Sequence, residues 1–329
     1  SNQPNKTILS MNAKYSTNPG MFQNNSGRDQ LHTFYSALTI LLFSLSTTVT
    51  LAQGNAEPRI EIMEVTDQLY VMFGIGAIAG NIGVSIGDDG VLIVDDQSPV
   101  MVPLFQDAIR SLGGNDIDFV INTHWHFDHA DGNKVLGAEG TWIVAQANSR
   151  RMLLRDQSIN LVDQTIPQPA YPPAALPVIT FDDRMSFHFN GQQIDLLHDG
   201  EAHTTGDVAV IFRGDNAVHL GDVFNNAGYP FIDADSGGSL PGLVRFCEAV
   251  LEEINTGTVV IPGHGPIAGY ERLVDYTATL ATIRNRLAAL IEDGASLEDV
   301  IAAAPTAQWD AQWGDPSSFL NRAYTSMTH

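Results

Sequence analysis

Four side chains able to bind a metal fall within six residues in the segment Asn122-Thr123-His124-Trp125-His126-Phe127-Asp128-His129. Residues two apart on an extended chain point the same way, so His124 and His126 can share one metal ion. Asp128 and His129, past the bend, can turn toward a second. Three further candidates stand near the ends of strand-like runs: His203 in the segment Glu201-Ala202-His203-Thr204-Thr205-Gly206-Asp207, Asp222 after Val218-His219-Leu220-Gly221, and His264 after Val260-Ile261-Pro262-Gly263. Structural zinc sites favour closed four-ligand spheres, often of cysteines, whereas seven N and O donors for two metals leave open positions. The chemistry expected is therefore hydrolysis. Two Zn²⁺ ions about 3.5–4 Å apart lower the pKa of a shared water toward about 7 and polarise a carbonyl or phosphoryl oxygen. Asp128 is expected to orient that water, and no serine or cysteine nucleophile is needed. His32, His188, His198, His219 and His329 lack this setting and read as ordinary residues.

The elements that must position these groups follow a plan used twice. Apolar runs predict strands at 69–73, 82–86, 91–94 and 119–122, with a helix at 102–112, in the first half. The second half predicts strands at 194–197, 208–212, 217–220 and 259–261, with a helix at 240–254. Each half ends at the ligand edge. Past His264 an apolar stripe from Leu273 to Ile291 predicts a long helix, and Ser296-Leu297-Glu298-Asp299 resembles a capping box opening another. Trp309, Trp313 and Phe319 are expected to dock the tail onto the domain. The glycine-rich segment 74–81 suits a flap over a hydrophobic substrate face, and segments 164–177 and 227–240 are candidate pocket walls. Asn225 and Asn226 lie close enough to Asp222 to be candidate substrate contacts.

The block His-x-His-x-Asp-His at 124–129, followed by His203, Asp222 and His264, resembles the ligand set of the metallo-β-lactamase superfamily over roughly residues 60–270. The resemblance implies an α/β fold, a four-layer αβ/βα sandwich with the metals between two sheets at one edge. It implies that His124, His126 and His203 hold a first zinc and that Asp128, His129 and His264 hold a second, with Asp222 bridging or completing it. It also implies that Asp95, after the strand Val91-Leu92-Ile93-Val94, orients a ligand histidine through its free ring N–H. Fe or Mn would also suit a set made only of histidines and carboxylates.

The departures from the family bear on substrate. β-Lactamases of the subclass this chain most resembles carry cysteine at the position of Asp222 and, three residues on, a lysine that grips the substrate carboxylate; here that position is Asn225. Losing an ammonium anchor costs about 1.5–3 kcal/mol, or about tenfold or more in binding. Lactonases of the family place tyrosine where Asn225 stands, and Tyr229 is too far on to be equated with it. The expectation is a zinc hydrolase opening a cyclic amide, a β-lactam first and with low efficiency. A lactonase or a glyoxalase-type thioesterase is the alternative within the fold. A non-catalytic metal- or ligand-binding protein is the alternative of another class.

Composition sets the surroundings. A formal charge of -22 over 329 residues argues against nucleic acid and anionic membrane surfaces as partners, which leaves a small-molecule substrate. The charge is uneven, because Lys6, Lys14 and Arg28 against Asp29 leave residues 1–56 weakly basic. Residues 1–30 are polar and expected to be disordered or foreign to the native chain, while Tyr35 to Ala52 reads as a secretory signal peptide. A single hydrolase domain with C-terminal helices is then expected over 57–329, secreted or periplasmic, without stable membrane association after signal cleavage. The one cysteine, Cys247, allows no internal disulfide and sits in an amphipathic helix pattern that packs it as a small apolar residue.

Overall fold

The computed structural model describes residues 57–328, so the expected leader and signal segment lie outside the described residues. The first half runs β1 (Arg59–Glu64), β2 (Leu69–Ile75), β3 (Ile82–Gly87), β4 (Gly90–Val94), α1 (Val102–Ser111), β5 (Phe119–Asn122), α2 (Phe127–Ala130), α3 (Asn133–Glu139), β6 (Trp142–Gln146) and α4 (Ala147–Leu153). A hairpin of β7 (Gln157–Asn160) and β8 (Thr165–Gln168) and the short β9 (Ile179–Phe181) follow. The second half runs β10 (Arg184–Phe189), β11 (Gln192–Leu197), β12 (Ala209–Phe212), β13 (Ala217–His219), α5 (Leu240–Glu253), β14 (Val259–Ile261), β15 (Ala268–Gly269) and α6 (Tyr270–Glu292). The tail adds α7 (Leu297–Ala303), α8 (Asp310–Trp313) and α9 (Ser317–Thr328).

Strand order is β1-β2-β3-β4-β5-β6-β9 in one sheet and β10-β11-β12-β13-β14-β15 in the other, with β7-β8 standing apart. The central strands are apolar on both faces because each face is covered. In β4, Leu92 and Val94 point into the layer between the sheets, while Val91 and Ile93 point outward to the α1 side. In β12, Val210 and Phe212 enter that inter-sheet layer, while Ala209 and Ile211 meet α5 and α6 on the opposite side. A one-residue slip would exchange these sets, so the two covered faces fix the register. Full burial of each such side chain contributes about 1.5–3 kcal/mol. The result is the four-layer αβ/βα sandwich expected from the sequence.

The ligand edge is where strands stop. β4 and β5 run parallel and end at Val94 and Asn122, and β13 and β14, also parallel, end at His219 and Ile261. β12 is antiparallel to β13, so its leading loop, which carries His203, reaches the same edge. Ser296 and Asp299 form the expected capping box at the start of α7. Trp313 and Phe319 are buried in the cluster with α5 and α6, and Trp309 packs against it.

Candidate metal centre

The loop after β5 and the short helix α2 bring the first four groups together. Thr123 donates its backbone N–H and its hydroxyl to the Asp95 carboxylate at 2.7 and 2.8 Å, which pins the loop to the end of β4. The same carboxylate accepts the Nδ1 proton of His129 at 2.7 Å, leaving His129 Nε2 free to ligate. Asp95 does this from a left-handed backbone, φ +65°, an unfavourable conformation for a non-glycine residue that persists because its surroundings hold it. Asp95 therefore lies beside His129, one of the candidate ligands.

His124, His126 and His203 converge as one group of ligand atoms, Asp128, His129 and His264 as another, and His124, His129 and Asp222 as a third. Asp222 stands between the first two. Its Oδ1 lies 3.2 Å from His129 Nε2 and 3.5 Å from His264 Nε2, while its Oδ2 lies 3.6 Å from His203 Nε2. His264 Nε2 is 3.2 Å from Asp128 Oδ2 and 3.2 Å from His129 Nε2. Ligand atoms at the corners of a tetrahedral zinc site with bonds near 2.1 Å sit about 3.4 Å apart, so this spacing fits a metal ion better than it fits direct hydrogen bonds. The buried His124 Nε2 also has no protein partner, which a metal would supply. The residues present thus suit two divalent ions.

Close backbone approach makes room for this. At Gly263 an added Cβ would stand 2.0 Å from Asp222 Oδ1, and at Gly221, where φ is +49°, it would meet the Thr123 side chain. Only glycine lets the two parallel strand ends present Asp222 and His264 side by side.

Each remaining ring nitrogen of the first set is held. His203 Nδ1 donates to the Phe231 carbonyl at 2.8 Å, and His126 Nε2 donates to Asp233 at 3.0 Å. His124 Nδ1 lies 3.1 Å from the Thr123 hydroxyl. Thr204 clasps the buried Asp207 through its N–H and hydroxyl, both at 2.8 Å, which shapes the turn presenting His203. Asp233 is not legible in the sequence, because an aspartate in the loop Ile232-Asp233-Ala234-Asp235 carries no spacing signal. His219 is not a ligand: buried, it reaches the Asn81 carbonyl at 3.1 Å and accepts the Gly221 N–H, which steadies the turn before Asp222.

Electrostatics separate the two sets. Burial, aided by the neighbouring His129 and His203, pushes the His124 imidazole well below its usual range. Burial also lowers His203, against the pull of Asp222. Burial acts the same way on His129 and His264, but the Asp222 and Asp128 carboxylates outweigh it and raise both. Asp128 ends at about 2, because His129 and His264 overcome the opposing effect of its burial.

A pocket opens over the second set, with His126, Asp128, Asp222 and His264 on its floor and Ile78, Phe127, Ile159, Leu161, Ile166 and Phe231 among its walls. Ile78 comes from the glycine-rich flap and is 66% exposed, and Gln97 fixes the flap's end by donating to the Gly80 carbonyl at 2.5 Å. Asn225 lines the pocket, yet its amide donates to the Tyr229 carbonyl and accepts from Ala227 within its own loop. Asn226 turns away, toward the Pro266 carbonyl and Arg272. The Tyr229 hydroxyl likewise points outward, to Asp310 at 2.8 Å. No lysine or arginine lines the pocket among the described residues, and Lys134 is paired with Asp131 under the Tyr171 ring.

Fold and site together define a metal-dependent hydrolase architecture. The sequence profile of the metallo-beta-lactamase superfamily matches residues 75–264, and the chain belongs to that superfamily. Among solved structures, a metallo-beta-lactamase from Pontibacter korlensis aligns with 68% of this chain and 99% of its own, at 16% identity and a TM-score of 0.55. DIM-1 metallo-beta-lactamase aligns with 68% of this chain and 97% of its own, at 21% identity and a TM-score of 0.54. A double mutant of the sec-alkyl sulfatase PisA1 aligns with 82% of this chain and 50% of its own, at 16% identity and a TM-score of 0.61. At such identities the likeness speaks for the fold alone. No curated protein matches the sequence.

Proposed function

We propose that the protein is a zinc-dependent hydrolase that opens a cyclic amide, a β-lactam first, whose body is held by apolar contact. The observation that carries this is the pocket itself: His126, Asp128, Asp222 and His264 form its floor above the two groups of ligand atoms, and aliphatic and aromatic side chains form its walls. Two divalent ions held there would lower the pKa of a water and polarise the scissile carbonyl. His124, His126 and His203 would hold one ion, Asp128, His129 and His264 the other, and Asp222 would reach both. Asp128, kept ionised at about 2, orients the attacking water, accepts its proton and passes it to the departing nitrogen. The C–N bond breaks, and the product is the ring-opened amino acid.

Among the described residues the walls offer no cation to a substrate carboxylate, so carboxylate-bearing drugs bind weakly, by about tenfold or more relative to an ammonium-anchored site. The same walls favour a neutral lactone or thioester as the second reading. An exported protein fits the apolar segment at 35–52, and its acidic surface fits a small-molecule partner.

The test is metal content by mass spectrometry, paired with turnover of a chromogenic cephalosporin and a lactone and thioester panel before and after chelation. About two zincs with chelator-sensitive cephalosporin opening supports the first reading. Two metals with only lactone or thioester cleavage moves the assignment to the second. Absence of bound metal removes the foundation of both. Iron or manganese in place of zinc keeps the hydrolase and changes its cofactor.

A further inference from the structure

Helix α9 lies outside the matched family region, yet one buried arginine ties it to the metal edge. The Arg322 side chain is 7% exposed, and its NH1 meets Asp235 Oδ2 at 2.9 Å as an ion pair, off the hydrogen-bonding line. Its Nε and other terminal nitrogen donate to Asn321 at 3.1 and 3.0 Å, which fixes the guanidinium plane. Asp235 Oδ2 also accepts from Asn160 Nδ2 at 2.8 Å, so one carboxylate joins α9 to the β7-β8 hairpin.

Both arms end at the site. Asp235 belongs to the helical turn Ala234–Ser236, which directly follows Asp233, the partner of His126, and closely follows the Phe231 carbonyl that holds His203. Asn160 sits between Ile159 and Leu161, two of the pocket walls. A second tie runs parallel: Tyr229 stacks on Phe319 of α9 with ring centroids 5.0 Å apart.

We propose that Arg322 is a positioning residue for the hydrolase. Through Asp235 it holds the turn that orients His126 and His203 and clamps the hairpin that walls the pocket, so the C-terminal helix completes the site. This rests on the reading that His124, His126 and His203 bind a metal ion. The two donations to Asn321 fix the guanidinium plane and aim NH1 at the half-exposed Asp235, a pre-organisation that suits arginine more than lysine.

The experiment uses the full chain and Zn²⁺ itself, measured by competition with a chelating dye, together with KM and kcat. Arg322→Met is expected to weaken the tighter zinc site about tenfold, as loss of outer support to a ligand does. Arg322→Lys should recover part of that loss. Asn160→Ala, which cuts only the hairpin arm, should raise KM and leave zinc affinity unchanged. If Arg322→Met does not fold, Asp235→Asn reads the same link, with an expected loss of about threefold. Wild-type affinity and KM in the arginine variant, or in the Asp235→Asn variant where that replaces it, overturns the proposal. Equal loss in Arg322→Lys and Arg322→Met with KM unmoved in Asn160→Ala also overturns it, since that marks a general packing role. A wild-type chain that binds no zinc overturns the metal reading instead, which distinguishes the two failures.

Discussion

His124, His126 and His203 are buried rings whose second nitrogens are taken up by Thr123, Asp233 and the Phe231 carbonyl. Asp128, His129 and His264 lie under the pocket, with the side chains of Asp128 and His264 14% and 28% exposed, and they include a carboxylate. On the proposed reading the first set would hold an ion that seldom leaves, because its three rings are buried and fixed in orientation. The second set opens to the pocket and, on the same reading, would carry the group that moves a proton. The same six-residue block supplies both, so the division of labour comes from what backs each ligand.

The largest expected break in this contrast is Asp128→Asn. Turnover should fall by about 10³, within the range for removing a general acid–base group, while the fold and the first ion remain. Retained turnover in steady-state assays would defeat the role given to Asp128. Asp233→Ala addresses the other set: it should weaken the tighter zinc site 10- to 100-fold, roughly the cost of losing a histidine's outer partner, with circular dichroism unchanged. Unchanged affinity in dye competition would make Asp233 a bystander.

Acid should separate the sets without mutation. His129 and His264 are raised above their usual range and His124 and His203 are lowered, so protons compete for the second set at higher pH than for the first. As pH falls, the second ion should leave first, visible as a one-metal plateau in samples dialysed at stepwise lower pH. Simultaneous loss of both ions would remove the contrast. The smallest effect is expected at Cys247, whose thiol burial pushes up to about 12. Cys247→Ala should leave metal content and turnover unchanged, and the native thiol should resist alkylation at neutral pH.

The candidate ligands are legible because most follow the apolar strands β5, β13 and β14, with His203 alone in the loop between β11 and β12, and such runs combined with histidine spacing are rare by chance. Helix α6 and the α7 capping box were legible for a similar reason, periodicity plus a local cap. The β7-β8 hairpin was not. Its strands are short, one carries Pro167, and their apolar members Ile159 and Ile166 gain meaning only from the pocket they face. Asn225, close to Asp222 in the chain, does line the pocket, while its amide is hydrogen-bonded within its own loop. Asp233 could be found only by folding, since its partner lies 107 residues away.

Neither half of the chain owns a complete ligand set. Each group of three takes two members from the segment 124–129 after β5 and its last, His203, Asp222 or His264, from the second half. A bound ion is therefore a rivet across the sandwich, present only when both halves have met. Free metal at about a hundred times its dissociation constant would add about 2.7 kcal/mol to folding stability. That is enough to change how much of a marginal protein survives proteolysis. Abundance of this hydrolase would then follow the metal supply of its compartment, and scarcity would remove the protein as well as its activity.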